Sequence, residues 1–368
     1  MNQLRLSFAS WVAVYCTAMD TTLQFIPIMI VGFAASLGLT PLSRQVAMRL
    51  GVVDAPTDAR KIHKDHKPLM GGLAIYVGFA LSLILFSPAQ HFMELGAIIG
   101  GAGLLAFVGL LDDRYNLGIR LRLLAMIVAA IVLIFVGIQI QLFDVIWIDI
   151  PITIIWVLAI TNAVNFLDNM DGLAAGLAAI AAGFFTFIAY SQGQSLVSML
   201  AAALFGSAVG FLTYNFNPAS TFMGDMGALV LGFILAVLGI KLNFTSQTID
   251  VTWMVPILVL ALPIFDINLV VWTRLAERRS PTEAGKDHTS HRLMSLGFNQ
   301  RLTLFALYGL CIVYGTLGFL VSSVDEPLAY RIGILGLAGL GGLYLFMIWL
   351  RLTYQKRPVE ATQQESQR

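Results

Sequence analysis

Hydrophobic residues along this chain run in blocks instead of alternating with polar ones. Most blocks approach the roughly 20 residues that a helix needs to cross a hydrocarbon core. Eleven such spans are read, at 22–43, 69–87, 95–111, 121–140, 150–166, 172–190, 194–214, 226–243, 253–272, 303–321 and 331–350. A further apolar patch, Phe8 to Met19, is too short to cross and reads as an interfacial helix or an extension of the first span. No small-x-small cleavage site follows it, so it does not read as a removable leader. The expected class is all-α: a polytopic membrane helix bundle forming one domain over residues 1–350, with a polar tail at 351–368. No internal repeat and no low-complexity segment stands out.

Composition narrows the choice. Of 368 residues, 58% are hydrophobic and 12% are charged, against about 25% charged in soluble domains. So little charge cannot solvate so much apolar chain, which argues against soluble classes, nucleic-acid binders among them. The net charge of +1 becomes informative only when mapped. Of 22 Lys and Arg residues, 19 fall in loops 44–68, 112–122 and 273–302 and in the tail, which eleven spans place on one side. Basic loops stay cytoplasmic, so the N-terminus is expected outside and the C-terminus inside. Cys16 and Cys311 lie in separate apolar runs and read as small buried hydrophobes.

Ionisable groups at membrane depth are costly and usually functional. Here they gather at the inner ends of the spans: Asp112 and Asp113 after span three, Asn162, Asn165, Asp168 and Asp171 at the junction of spans five and six, Asp225 at the start of span eight, and Asp266 in span nine. Loop 273–302 adds His288, His291 and Arg292, and loop 44–68 adds Lys61 and His63 before Pro68 and Gly71–Gly72. Plainer roles stand beside these. Asp171 and Asp225 suit helix caps, Arg114 is a counter-charge for the adjacent acidic pair, and Arg274 is one for Asp266. Asn162 suits an amide bridge between helices. The glycine pair permits close approach of a ligand to the backbone. Asparagines and acids spaced by three converge only if the helix unwinds near Asp168. The two histidines lack a third strong ligand and read as anion contacts, not a zinc site. Carboxylates together with cations at one face suit Mg²⁺, which takes one or two carboxylates and fills its shell with phosphate oxygens. The residues thus point to a Mg²⁺-dependent enzyme acting on a phosphate ester at the inner leaflet. An ion-coupled transporter is the rival, though its coupling residues would sit near the midplane, often between repeats.

The ordered set GVVDAP, KxHxxxxPxxGG, DD, NxxNxxDxxDGL, FMGDxG and a late His-containing loop over roughly residues 50–300 resembles the polyprenyl-phosphate N-acetylhexosamine-1-phosphate transferases. Within that family it looks closest to the branch that uses UDP-GlcNAc and undecaprenyl phosphate. The resemblance implies Mg²⁺ (Mn²⁺ as a substitute), transfer of a sugar phosphate from a UDP-N-acetyl sugar to undecaprenyl phosphate in the lipid bilayer, and release of UMP. It places the enzyme in the inner membrane with a cytoplasmic active site, at the first membrane step of a glycopolymer of the lipopolysaccharide or teichoic acid kind; a homodimer is compatible with it. By match of motif, Asp112, Asp113, Asp168 and Asp171 are catalytic, and Asp225 with Asp113 binds the metal. Lys61, His63, Asn162, Asn165, His288, His291 and Arg292 contact substrate. Departures from the pattern are Asn116 where a third Asp is common, Asn169 where Gly is frequent, and Thr289–Ser290 between the histidines. They leave the sugar open: GlcNAc is expected, with another UDP-N-acetyl sugar or UDP-MurNAc-pentapeptide as alternatives.

Overall fold

Ten of the eleven apolar spans each coincide with one helix, and the ninth with two, in the computed structural model, which describes residues 25–54, 67–86, 88–244, 247–282 and 285–355. In chain order the helices are α1 (Phe25–Leu50), α2 (Gly71–Phe86), α3 (Phe92–Tyr115), α4 (Ile119–Phe135), α5 (Ile146–Leu167), α6 (Leu173–Ser191), α7 (Ser195–Asn215) and α8 (Gly224–Lys241). There follow α9 (Ile249–Thr252), α10 (Met254–Val259), α11 (Ala261–Ala276), α12 (Thr289–Ser295), α13 (Gln300–Ser323) and α14 (Glu326–Leu350). Among the described residues the only strands are two-residue pieces, Val53–Asp54 and Lys67–Pro68, paired antiparallel. The chain is an all-α membrane helix bundle. Eight helices are long and apolar enough to cross a bilayer, nine if the bent segment from Ile249 to Ala276 counts as one. Helices α2 and α4 are shorter, at 16 and 17 residues. The Phe8–Met19 patch lies outside the described residues.

The ninth span, expected as one continuous helix, is broken. Its halves meet at Leu260 at an angle of 76°. Pro263 explains the break: it has no N–H to give the carbonyl of Val259, and its ring would clash there. The ladder resumes with Ile264 N–H on the carbonyl of Leu260.

Helix α8 is the centre of the bundle, buried at nearly every position from Met226 to Leu238. Its neighbours include α3, α5 and α2. The glycine pair before the second span serves this packing. The N–H groups of Gly71 and Gly72 donate to the carbonyls of Phe222 and Met223, both at 3.0 Å. A Cβ on Gly72 would stand 2.2 Å from the nitrogen of Gly227. Close approach is therefore to the start of α8, not to a ligand.

Candidate active site

Four helix ends meet at the start of α8. Asp112 and Asp113 occupy the last turn of α3, which closes at Asn116 in a left-handed conformation (φ 50°). Helix α4 begins three residues later and brings Arg122 back beside them. One guanidinium nitrogen, Nη1, donates to Asp225 Oδ2 at 2.7 Å and is ion-paired with Asp112 Oδ2 at 3.1 Å. Arg114, the expected counter-charge, donates instead to the carbonyl of Gly51 at 2.9 Å. From α5, Asn165 Nδ2 donates to the other oxygen of Asp225 at 2.7 Å.

Asp113 takes the part that Asp225 was expected to play. Its oxygens accept the N–H groups of Asp225 (2.9 Å) and Met226 (3.3 Å), so a carboxylate from α3 caps α8. Gly224 makes room for it. Its φ is +69°, and a Cβ there would meet Asp113 Oδ2 at 2.3 Å.

Helix α5 does unwind at Asp168, which ends it with φ −77° and ψ 53°. Burial, and then the negative charges of Asp225 and Asp171, push the Asp168 carboxyl up to about 7. Asp171 turns to the loop before α8, accepting the Ala219 N–H at 2.9 Å and the Asn217 amide at 3.2 Å. It does not cap α6, whose start is Gly172 at φ +76°. Asn162 donates to the carbonyl of Leu158 at 2.7 Å and contacts the sulfur of Met126 at 3.3 Å, the bridging role. Lys61 and His63 lie outside the described residues.

The His loop is fastened to the same place from the other side. Asp266, fully buried on α11, accepts from His288 Nδ1 at 2.8 Å and from the Thr289 N–H at 2.7 Å. Ser290 Oγ donates to Asn169 Oδ1 at 2.8 Å, and the His288 ring packs 6.1 Å from that of Phe166. Arg274 pairs with Asp287, not with Asp266. Asp287 also binds Arg279 at 2.8 Å and Arg351 at 2.6 Å. These guanidinium groups hold its carboxyl well below the usual range against the cost of burial. Arg351, the first residue of the expected tail, thus clamps the loop.

Arg292 has no exposed surface. It donates to the carbonyls of Asp287 (3.0 Å) and Met347 (2.7 Å) and to Thr273 Oγ1 (2.8 Å), tying α12 to α11 and α14. Burial, reinforced by His288 and Lys286, holds the His291 ring down at about 4. It is therefore uncharged near neutral pH and offers an anion no ionic contact.

Among the described residues the site thus sets Asp112, Asp113, Asp168 and Asp225 against one close cation, Arg122. Arg122 and Asn165 meet at Asp225 from different helices. Nothing in local spacing flagged Arg122; its one signal was a cation returning at the start of the next helix after a short turn. Asp112 Oδ1 is buried without a partner. Among the described residues no three carboxylate or imidazole groups are close enough to enclose a metal ion. An oxygen-rich, over-negative site with one unpartnered carboxylate oxygen suits a hard divalent ion held by one or two carboxylates, not a closed protein cage.

The family model described as Glycosyl transferase family 4 matches residues 95–243, the stretch that carries the acidic cluster. A probable undecaprenyl-phosphate N-acetylglucosaminyl 1-phosphate transferase of Bacillus subtilis (strain 168) is 32% identical, over 83% of this chain and 87% of its own. A decaprenyl-phosphate N-acetylglucosaminephosphotransferase of Mycolicibacterium smegmatis is 30% identical, over 72% of this chain and 74% of its own. An undecaprenyl-phosphate alpha-N-acetylglucosaminyl 1-phosphate transferase of Yersinia pestis is 26% identical, over 80% and 84% respectively.

Proposed function

Since the chain belongs to glycosyl transferase family 4, among its polyprenyl-phosphate N-acetylhexosamine-1-phosphate transferases, we propose that it transfers N-acetylglucosamine-1-phosphate from UDP-GlcNAc to undecaprenyl phosphate and releases UMP. The reading includes eleven crossings with the N-terminus outside and a site at the cytoplasmic face of the inner membrane, which the concentration of 19 of 22 Lys and Arg residues in the loops of one side supports. The observation that carries this reading is Asp225, engaged at once by Arg122 of α4 and Asn165 of α5 and flanked by the Asp112–Asp113 pair of α3.

The chemistry asks for little besides position and charge. A lipid phosphate oxygen attacks the phosphorus that bears the sugar, the bond from that phosphorus to the UMP oxygen breaks, and UMP leaves. A phosphate monoester with its second pKa near 6 is already largely ionised near neutral pH, so no strong base is required. Asp225 and the unpartnered oxygen of Asp112 are the groups that would hold Mg²⁺, which when bound neutralises the diphosphate. Asp113, capping α8, holds Asp225 at its place. Arg122, now shared between two carboxylates, is the cation that would answer the charge developing on the departing phosphate.

UMP release is the test. Purified protein with UDP-GlcNAc and undecaprenyl phosphate releases UMP, and EDTA abolishes release until Mg²⁺ is restored. Release that ignores EDTA removes the metal from the scheme. Release with a different UDP-N-acetyl sugar but not UDP-GlcNAc moves the donor assignment and leaves the reaction class.

A further inference from the structure

A carboxylate with no exposed surface inside an apolar helix is expensive unless every oxygen is used. Asp266 uses both, and both go to one place. Oδ2 receives His288 Nδ1 and Oδ1 receives the Thr289 N–H, at the start of the His loop. An ionised carboxylate only accepts, so Nδ1 must carry the hydrogen. That leaves the second ring nitrogen, Nε2, which has no hydrogen-bond partner among the described residues. The ring that carries it is packed against Phe166, two residues before Asp168. Two residues further along the loop, Ser290 is bonded to Asn169, the residue after Asp168. His288 is thereby fixed in rotation and in tautomer against the residues that flank Asp168, with one nitrogen committed and, among the described residues, one free.

We propose that Asp266 is a positioning residue for the transfer reaction: by binding Nδ1–H it presents Nε2 of His288 to a phosphate oxygen of the nucleotide-sugar diphosphate. The proposal rests on the functional reading above. It gives Asp266 a job that the bundle alone does not require, since a well-packed apolar residue at that depth costs the fold less than a buried ionised group. It also separates the two histidines. His288 is oriented for contact, while His291, uncharged and packed 6.2 Å from the His288 ring, supports it.

The test is a double-mutant cycle on UMP release with Asp266→Asn, His288→Ala and the two combined. If Asp266 acts through His288, each single variant loses on the order of 10- to 100-fold in kcat/KM, as when a partner that orients a functional histidine is removed. The combined variant is then no worse than His288→Ala alone. Nitrogen-15 spectra of histidine-labelled protein, with His288 assigned by its loss in the His288→Ala variant, show a hydrogen on Nδ1 in the wild type and an altered pattern in Asp266→Asn. Losses that multiply in the combined variant, or an Asp266→Asn protein with wild-type kcat/KM, overturn the proposal, because a merely structural anchor acts independently of the ring. Thermal melting in detergent keeps the comparison to folded protein, and Asp266→Glu serves where Asp266→Asn does not fold. A wild-type chain that releases no UMP overturns the functional reading itself, and this role with it. Wild-type release unaffected by Asp266→Asn overturns the role alone.

Discussion

Arg122 and Asp112 each stand where the helix dipole disfavours their charge, the cation in the first turn of α4 and the anion in the last turn of α3. Their pairing offsets both penalties, and Asp225 completes it. Asp168 has no such relief. Its carboxyl, raised to about 7 by burial and by Asp225 and Asp171, holds a proton in the folded state over a range where the unfolded chain, with an ordinary value of about 3.9, has lost it. Folding is then linked to proton uptake between those values, so this group costs stability as pH rises from about 4 through about 7. With divalent ions removed by EDTA, the melting temperature in detergent should fall across that interval, and Asp168→Asn should flatten the fall. An unchanged slope in the variant assigns the dependence to other groups. At this scale the sequence was partly legible. Asp225 and Asn165 could be read as site residues because a carboxylate or amide near an apolar span has few other uses. Arg122 could not, because one cation among several in a short basic loop carries no mark until the turn brings it to a carboxylate. Arg292 was visible as a cation but not as a buried tie between three helices, since burial of an Arg depends on carbonyls far off in sequence.

The position of every long helix was legible from hydropathy, because desolvating the backbone leaves apolar chain in a bilayer no alternative to internal hydrogen bonding; the short α9 and α12, outside the apolar spans, were not. Continuity was not. A hydropathy profile averages over Leu260 and hides the bend that Pro263 imposes on the ninth span. The meaning of the glycines was equally hidden. Gly71 and Gly72 looked like a loop prepared for a ligand, yet they let α2 lie against the start of α8. Gly224 couples element to site: its positive φ starts α8, and the missing Cβ leaves space for the carboxylate that caps it. Gly224→Ala should therefore destabilise the protein by roughly 1–3 kcal/mol through backbone strain and, by displacing Asp113, lower transfer further than stability alone accounts for. Gly96→Ala is the control, because a Cβ there meets nothing within 4 Å and Ala suits a helix interior better than Gly does. Equal melting points for the two variants would show that the α8 cap tolerates a side chain.

For the whole molecule, the same asymmetry that underlies the proposed orientation also supplies the proposed chemistry. The proposed orientation puts the basic loops on one side, together with the ends of α3, α5 and α8 that carry the acids and the start of α4 that answers them. Charge segregation along the sequence is the ground on which this side is proposed. It could not predict that α8, buried nearly throughout, would sit at the centre with its first turn as the meeting point, because that follows from which helices pack together. Orientation can be tested directly through two exposed serines at opposite ends of the bundle: Ser195, where α7 begins after the 192–194 turn, and Ser280, in the loop between α11 and α12. In a chain carrying Cys16→Ser, with Cys311 left in place because it is buried, Ser195→Cys should react with a membrane-impermeant maleimide in right-side-out vesicles. Ser280→Cys should react only after the vesicles are opened. The reverse pattern would put the acidic cluster on the outer face, away from any cytoplasmic nucleotide sugar, and the proposed reaction would have no donor there.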